Sequence, residues 1–454
     1  MHPVAPARRH ARVPGGRHQG LGHAQGGEAL PAERAAPDLD AAPGAADAGP
    51  EAGRARVPGE ARGDPHQQRV PLIVLGRGAG VNAVQDAWDI AVVGAGFAGS
   101  LAAHDLARRG LRVIVLERGK QIGQETSGGN LSDGPWWSAF GLPRPEFMLP
   151  VVRRDVAWLG RSFIIAAVRP HPHGELSAFA RADLDAYLRG ILQRAGVTLR
   201  EDFSVEQITA EPDGPVFVRA AGAAVAAKAV LIASGTDEEL LARNGLLRRR
   251  AAGGRVFFVS QQCLARRDGG EGPGCMLLEL QNLPGCRDAA AAVLRMPRDV
   301  IVTVRGAIAP ETLSDWSFRP GDIVTRLKGH PLIEEIFRGA AVGEWRTRIL
   351  GAYPPARRRL HGERVLLAGD AALPMGGSHR PGAGFRWAAL TAREAAETLA
   401  RALDRPTAFR LRAYAERVRA AGRVPIRDRW LFPLRRFMAR AAHLVEKLLF
   451  WFTG

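Results

Sequence analysis

Apolar positions along the chain fall into short unbroken runs and stretches of helical period, the alternation expected of parallel strands covered by helices. The run Asp89-Ile-Ala-Val-Val93 reads as a buried strand, Gly99 to Arg109 as a helix and Leu111 to Glu117 as a second strand. Together they make one βαβ unit. Farther on, Leu184, Tyr187, Leu188, Ile191 and Leu192 mark one face of a helix over Arg181 to Ala195, followed by a short strand at Val197 to Leu199. Val216 to Arg219 and Val225 to Ile232 have the look of a β-meander returning to the sheet. Strand-like runs follow at Arg255 to Ser260, Cys275 to Leu280 and Asp299 to Val304, and a helical stretch runs from Gly321 to Phe337. A last core strand, Arg364 to Ala368, leads into a long helix from about Phe385 to Leu403. The tail from Pro406 is helical and basic.

Residues 1–86 break this pattern. Ala, Arg, Gly and Pro dominate them, and apart from the short run Val70 to Leu75 they offer too little apolar surface to offset the entropy of ordering. A low-complexity, disordered extension is expected there. A folded domain starts more naturally between Val81 and Trp88, so a translation start in that region is a second expectation. Met1 to Gln67 holds no apolar stretch of signal-peptide type, which points to a cytoplasmic location.

Composition narrows the class. The 454 residues allow two or three domains, and 46% hydrophobic with 24% charged residues is ordinary for a globular chain. No apolar run reaches the roughly 18 residues that a membrane-spanning helix needs. The net charge of +17 would suit nucleic acid, but its distribution argues otherwise. Residues 401–454 carry twelve Arg and one Lys against four acids, beside a strongly apolar segment, which suits an anionic membrane surface better. Within Trp430 to Phe452, Leu434, Phe437, Met438, Ala441, Leu444, Val445, Leu448 and Trp451 follow helical spacing, with Arg435, Arg436, Arg440 and Lys447 elsewhere. Peripheral membrane contact through 430–452 is one reading, and a helix packed on its own domain or on a partner subunit is the other. Cys263, Cys275 and Cys286 form no metal knuckle or disulfide framework and read chiefly as buried thiols; no metal site is expected.

Two segments carry chemistry. Gly94-Ala-Gly96-Phe-Ala-Gly99 follows the first strand and opens the first helix, where glycines permit a tight turn, close approach of a pyrophosphate and close helix–strand packing. Glu117 ends the second strand, placed to accept hydrogen bonds from an adenosine ribose. Much later, Arg364-Val-Leu-Leu-Ala-Gly369-Asp370-Ala-Ala is followed by Gly382-Ala-Gly384 at the start of a helix. A carboxylate at such a strand end can meet a sugar-like hydroxyl, and the glycine-rich helix start offers N–H groups to an electron-rich ligand edge.

With both segments in hand, the chain resembles the FAD-dependent oxidoreductases of the glutathione-reductase-type FAD fold. Within them it is most similar to the group of geranylgeranyl reductases and FixC-type (electron-transfer-flavoprotein–quinone oxidoreductase-like) dehydrogenases. Glu117-Arg118-Gly with Glu125-Thr-Ser-Gly-Gly129, Arg181-Ala-Asp-Leu-Asp185-Ala-Tyr-Leu188, and Val230-Leu-Ile-Ala-Ser-Gly235 continuing to Gly245 resemble further segments of that group. The resemblance covers most of residues 88–403. It implies FAD as cofactor, with Gly94, Gly96, Gly99, Glu117, Arg118, Arg181, Gly235, Gly369, Asp370, Gly382, Gly384 and Phe385 in its binding site. Asp370 would bind the ribitol, and the backbone from Gly382 to Phe385 would face the N1–C2=O2 side of the isoalloxazine.

The departures also matter. Leu373-Pro-Met-Gly-Gly-Ser-His379-Arg380-Pro-Gly replaces a shorter Asn-Pro-x-x-Gly-x-Gly run. His379 and Arg380 are therefore either a proton donor and a cation near the flavin or plain surface loop residues. The acidic run from Asp237 stands where the group has a Ser. No second GxGxxG follows a strand between residues 150 and 360, no four-cysteine cluster is present, and a Trp-x-Trp-x-Ile-Pro halogenase signature is missing. Trp136, Trp137 and Phe140 read either as the lining of an apolar substrate cavity or as core.

The expected fold class is α/β: a Rossmann-like FAD-binding domain with a parallel sheet and β-meander, a mixed-sheet α+β substrate domain and a C-terminal helical tail. The FAD-binding domain is expected at 87–140, 175–253 and 355–405, the substrate domain at 141–174 and 254–354, and the tail at 406–454. The expected activity is hydride transfer between flavin and a hydrophobic, isoprenoid or lipid-like substrate. Electrons would come from transient NAD(P)H or a redox partner, and no nucleic acid is expected. The alternatives are a single-component monooxygenase using NAD(P)H and oxygen, and a non-catalytic flavin-fold membrane scaffold.

Overall fold

The computed structural model describes residues 88–123, 129–159, 164–168, 176–211, 214–247, 255–266, 274–281, 289–309, 331–340, 345–353, 358–372, 382–404 and 408–421. The extension at 1–86, the segment 430–452, Cys286 and the loop bearing His379 and Arg380 lie outside them.

The first sheet forms where apolar runs have no polar face to turn to water. Its strands are β1 (Trp88–Val93), β2 (Val113–Leu116), β7 (Thr198–Arg200), β8 (Gln207–Ala210), β9 (Val216–Ala220), β10 (Ala223–Ile232) and β16 (Val365–Leu367). They are ordered β7-β2-β1-β10-β9-β8, with β16 also paired to β10. β2 and β10 flank β1 in parallel register, and β16 lies parallel to the last residues of β10. The opening half of β10 instead pairs antiparallel with β9, which completes the expected meander through β8. Ile90 to Val93, Val113 to Leu116 and Val230 to Ile232 are all buried, the signature of strands covered on both faces. α1 (Phe97–Arg108) makes the crossover from β1 to β2, and α2 (Arg181–Arg194) precedes β7.

The second sheet holds β3 (Gly129–Asp133), β4 (Leu149–Leu159), β5 (Ile164–Val168), β6 (Leu176–Ala180), β11 (Arg255–Ala265), β12 (Cys275–Gln281), β13 (Ala289–Arg295), β14 (Asp299–Ile308) and β15 (Trp345–Tyr353). Its order is β15-β11-β14-β13-β12-β4-β6-β3, with β5 paired to β4. All its pairings are antiparallel except that of β12 with β4, which makes the expected mixed sheet. One face buries Phe258, Leu278, Leu280, Val302 and Val304 together with Ile336 of α4 (Pro331–Phe337). β3 and β6 fall in segments expected to belong to the FAD-binding domain, yet they pair in this sheet, so the strands pass between the two layers more often than composition suggests.

After the short helix α3 (Glu238–Arg243) and the second sheet, the chain returns through β16 to α5 (Ala383–Asp404) and α6 (Ala408–Ala421). α5 packs along α1 and α6 along α5. The Tyr414 side chain of α6 is fully buried, and its hydroxyl donates to the carbonyl of Leu367 at the end of β16. Tyr414→Phe leaves that carbonyl without its donor and is expected to destabilise the protein by about 1–3 kcal/mol. The urea midpoint of unfolding reads the change.

Candidate functional site

The parallel strands β1, β2, β10 and β16 end on one edge, and their ends are tied together. Gly94 N–H donates to Leu116 O at 2.8 Å, Ala233 N–H to Val93 O at 2.8 Å and Ala368 N–H to Ile232 O at 2.9 Å. Beyond this edge, where open α/β sheets bind ligands, lies a cavity of about 490 Å³. Its wall includes both segments singled out from the sequence: Gly94, Gly96 and Glu117 from the first, Gly369, Asp370 and Gly384 from the second.

The glycine turn shows why each residue is there. Gly94 has φ of +100°, and a Cβ on it would lie 2.6 Å from Ala233 O. A Cβ on Gly99 would lie 1.9 Å from Gly94 O, so Gly99 serves helix–turn packing and does not line the cavity. Gly96 differs from both. Its φ of −67° suits any residue, and an added Cβ would meet no protein atom within 4 Å. Gly96 lines the cavity, so the space kept open there serves a ligand and not protein packing. α1 also begins with no side-chain cap and no acid in its first turn, which leaves its positive end toward an anion. Ser100 Oγ donates to Ala95 O at 2.8 Å and holds the turn from behind.

Glu117 is fixed at the end of β2. One carboxylate oxygen accepts from Ala95 N–H at 2.8 Å and the other from Gly119 N–H at 2.9 Å. A carboxylate has about four lone-pair sites, so both oxygens retain capacity for ribose hydroxyls. Arg118 lies 3.6 Å from Asp237, and Arg181 Nε donates to Asp185 Oδ1 at 2.9 Å; all four line the cavity. Asp237 is the N-cap of α3, accepting from Leu240 N–H at 3.0 Å. The acid where the similar group has a Ser is thus a like-for-like helix cap.

On the other side of β10, Gly369 N–H donates to Thr391 Oγ1 of α5 at 2.8 Å, and Asp370, Gly384, Phe385 and Gly235 line the cavity. Gly382 itself is not among the residues lining the cavity, though its neighbours Gly384 and Phe385 are. A Cβ there would lie 2.5 Å from Asp133 N, so this glycine lets α5 start hard against β3. Trp136, Trp137 and Phe140 are buried core and none lines this cavity, which favours the core reading of the two that the sequence left open. Their polar–apolar character is the same in either role, so only packing distinguishes the two.

Several residues carried no signal in the sequence. Arg358, with a side chain only 2% exposed, donates to Asp370 O, to Ala371 O at 3.0 Å, and to Glu238 Oε1 at 3.1 Å. Burial pulls its pKa down while Glu238 pushes it back up. Arg358 thereby bolts the turn holding Asp370 to the start of α3. From the second sheet, Val259, Gln261 and Arg346 reach the cavity. Of the two thiols among the described residues Cys275 is buried, as expected, and burial pushes its pKa up to about 12; Cys263 is exposed instead, and partial desolvation with Asp299 beside it pushes it up to about 11.

Likeness to known proteins agrees with this geometry. Residues 89–173 match the FAD dependent oxidoreductase family. The chain carries an FAD-dependent oxidoreductase domain. It is 26% identical over 315 residues to Protein FixC of Salmonella typhi, covering 63% of this chain and 71% of that one. It is 28% identical over 348 residues to Protein FixC of Azotobacter vinelandii, covering 70% and 77%. Among solved structures, a geranylgeranyl bacteriochlorophyll reductase-like protein from Thermoplasma acidophilum shares the fold with a TM-score of 0.57 at 16% identity, over 74% of this chain and 84% of that one. The flavin-dependent brominase Bmp2 shares it with a TM-score of 0.59 at 17% identity, over 80% and 90%.

The residues present fit FAD. The open space at Gly96, the uncapped start of α1 and the acceptor Glu117 would hold the pyrophosphate and adenosine ribose, and Asp370 the ribitol. Buried Ser234 Oγ and Asn130 Nδ2 on the cavity wall have no partner among the described residues and are available to the cofactor. Gly96→Ala is expected to leave the melting temperature of the flavin-free protein unchanged while weakening FAD about tenfold or more, the ~1.4 kcal/mol of one blocked contact. Flavin absorbance after dialysis reads it. Arg358→Met leaves the carbonyls of Asp370 and Ala371 without this donor and is expected to cost about 1–3 kcal/mol. Urea unfolding reads that loss, with FAD affinity falling alongside.

Proposed function

We propose that the chain is an FAD-dependent dehydrogenase or reductase whose substrate has a hydrophobic, isoprenoid or lipid-like body. One observation carries this reading: a single cavity is walled by the nucleotide-binding segments and also by Val259, Gln261 and Arg346 of the second sheet. A cofactor held by the first sheet and a substrate held by the second would therefore meet in one space. Bound FAD would supply two-electron exchange, taking a hydride from a substrate carbon or returning one.

The chain's own residues orient the partners. Phe385 is wedged between Phe97 at 4.8 Å and Phe179 at 5.1 Å between ring centroids, which fixes the start of α5 on the cavity wall. The N-terminal turn of α5 presents its dipole's positive end where electron density would collect on reduction. The likeness to FixC supports an FAD-dependent oxidoreductase, and the same fold is found in a geranylgeranyl bacteriochlorophyll reductase-like protein. Transient NAD(P)H or a separate redox partner would complete the second half-reaction. Peripheral contact with the inner face of a membrane through 430–452 is proposed from the sequence pattern alone; among the described residues no helix is long and apolar enough to cross a membrane.

The test uses purified protein with FAD bound. Product formed without air, with an artificial electron donor or acceptor, supports the dehydrogenase or reductase. Strict dependence on oxygen, with heavy-isotope oxygen incorporated into product, overturns it in favour of a monooxygenase. A protein that binds no FAD at all leaves neither standing.

A further inference from the structure

Cross-strand neighbours in a sheet share a face, so register alone identifies which side chains form a row. Starting from the edge of the second sheet, Arg346 of β15 pairs with Gln261 of β11, and Gln261 with Thr303 of β14. Thr303 pairs with Ala292 of β13, and Ala292 with Glu279 of β12. Arg346 and Gln261 line the cavity, so the row lies on the cavity side. Gln261 and Glu279 are buried, Thr303 and Ala292 half-buried and Arg346 exposed, so the cost of unsatisfied polar groups falls on the first two.

Most of the row is satisfied internally. Glu279, with a side chain 5% exposed, is held by Arg154 Nη2 at 3.1 and 3.2 Å, and Gln261 Nε2 donates to Thr303 Oγ1 at 2.9 Å. Three arginines line the cavity. Arg118 lies by Asp237 and Arg181 by Asp185, whereas Arg346 has no carboxylate within ion-pair distance among the described residues. Among the described residues, the cavity arginine with no carboxylate beside it is thus the one on the second sheet, next to the buried Gln261 amide, with Thr303 and then the small side chain of Ala292 beyond.

We propose that Arg346 binds a carboxylate on the substrate, so that the substrate is an amphiphilic acid. A planar guanidinium matches a planar carboxylate through two parallel N–H···O bonds, a geometry that a neutral alcohol or ester cannot reproduce. The Gln261 amide beside it supplies a polar wall that would otherwise face an apolar chain. This inference rests on the preceding reading that the second sheet holds the substrate.

Octanoate, methyl octanoate and NADP are each titrated into the FAD-loaded protein, with the flavin spectrum and calorimetry read together. Octanoate should bind at least about tenfold more tightly than its methyl ester, and R346M should remove that preference while R346K keeps part of it. Flavin content and melting temperature of R346M should match the parent, because Arg346 is an exposed residue near the start of an edge strand. Equal binding of acid and ester, or octanoate binding unchanged in R346M, overturns the proposal. So does an R346M variant that loses NADP binding alone, since the arginine would then serve a nucleotide phosphate. Flavin content is measured independently, and calorimetry detects octanoate with or without flavin. Failure of this proposal is thus separable from failure of the FAD reading.

Discussion

The central position of β10 is the constraint on which the rest depends. Its last residues pair in parallel with β1 on one side and with β16 on the other. Neighbouring strands lie about 4.8 Å apart, so β1 and β16 are roughly 10 Å apart across β10 although well over two hundred residues separate them in the chain. The glycine turn after β1 and the Gly-Asp turn after β16 therefore open on the same cavity. Without β10 between them, neither turn alone could distinguish an extended two-part cofactor from a simple phosphate. The bonds from Ala233 to Val93 and from Ala368 to Ile232 extend this registration one residue past the strands, into the turns themselves.

The same arrangement explains the division of labour around the cavity. Groups on the first sheet are already engaged with one another: Glu117 with backbone amides, Arg118 with Asp237, Arg181 with Asp185. Such pre-orientation lowers the entropy lost when a ligand arrives. Arg358 extends the scheme by using one buried guanidinium to hold two carbonyls and a carboxylate. The cost of burying that charge is offset by the partners of its two terminal nitrogens, while its Nε has none among the described residues.

The parallel core was legible because strands buried on both faces are written as unbroken apolar runs, and because glycines so spaced between a strand and a helix mark a turn of close approach. The second sheet was less so. β13 is mostly alanine (Ala289 to Ala292), which has no strand preference, and its pairing is dictated by β12 and β14 on either side. β15, with Arg346 and Arg348 among apolar residues, has a mixed face that no local rule assigns to a cavity. β3 and β6 are short and pair directly with each other although β4 and β5 intervene in the sequence. Arg358 was silent for a related reason: an isolated arginine in an arginine-rich chain stands out only when its burial is known. Gly99 and Gly382 show the converse, since a glycine in a motif can serve packing as readily as ligand approach.

Six aromatic rings close on themselves: Phe97 touches Trp136, Trp136 touches Tyr187, Tyr187 touches Phe147, Phe147 touches Phe179, Phe179 touches Phe385, and Phe385 returns to Phe97. Every contact is edge-to-face, so each ring's tilt is set by the next. The circuit links the starts of α1 and α5 to α2 and β6. Those helix starts cannot be displaced singly: a shift in any one must propagate round the loop before it is accommodated. The platform offered to the cofactor thus behaves as one stiff collar, and redox chemistry on it would proceed against walls whose spacing is set far from the reacting atoms.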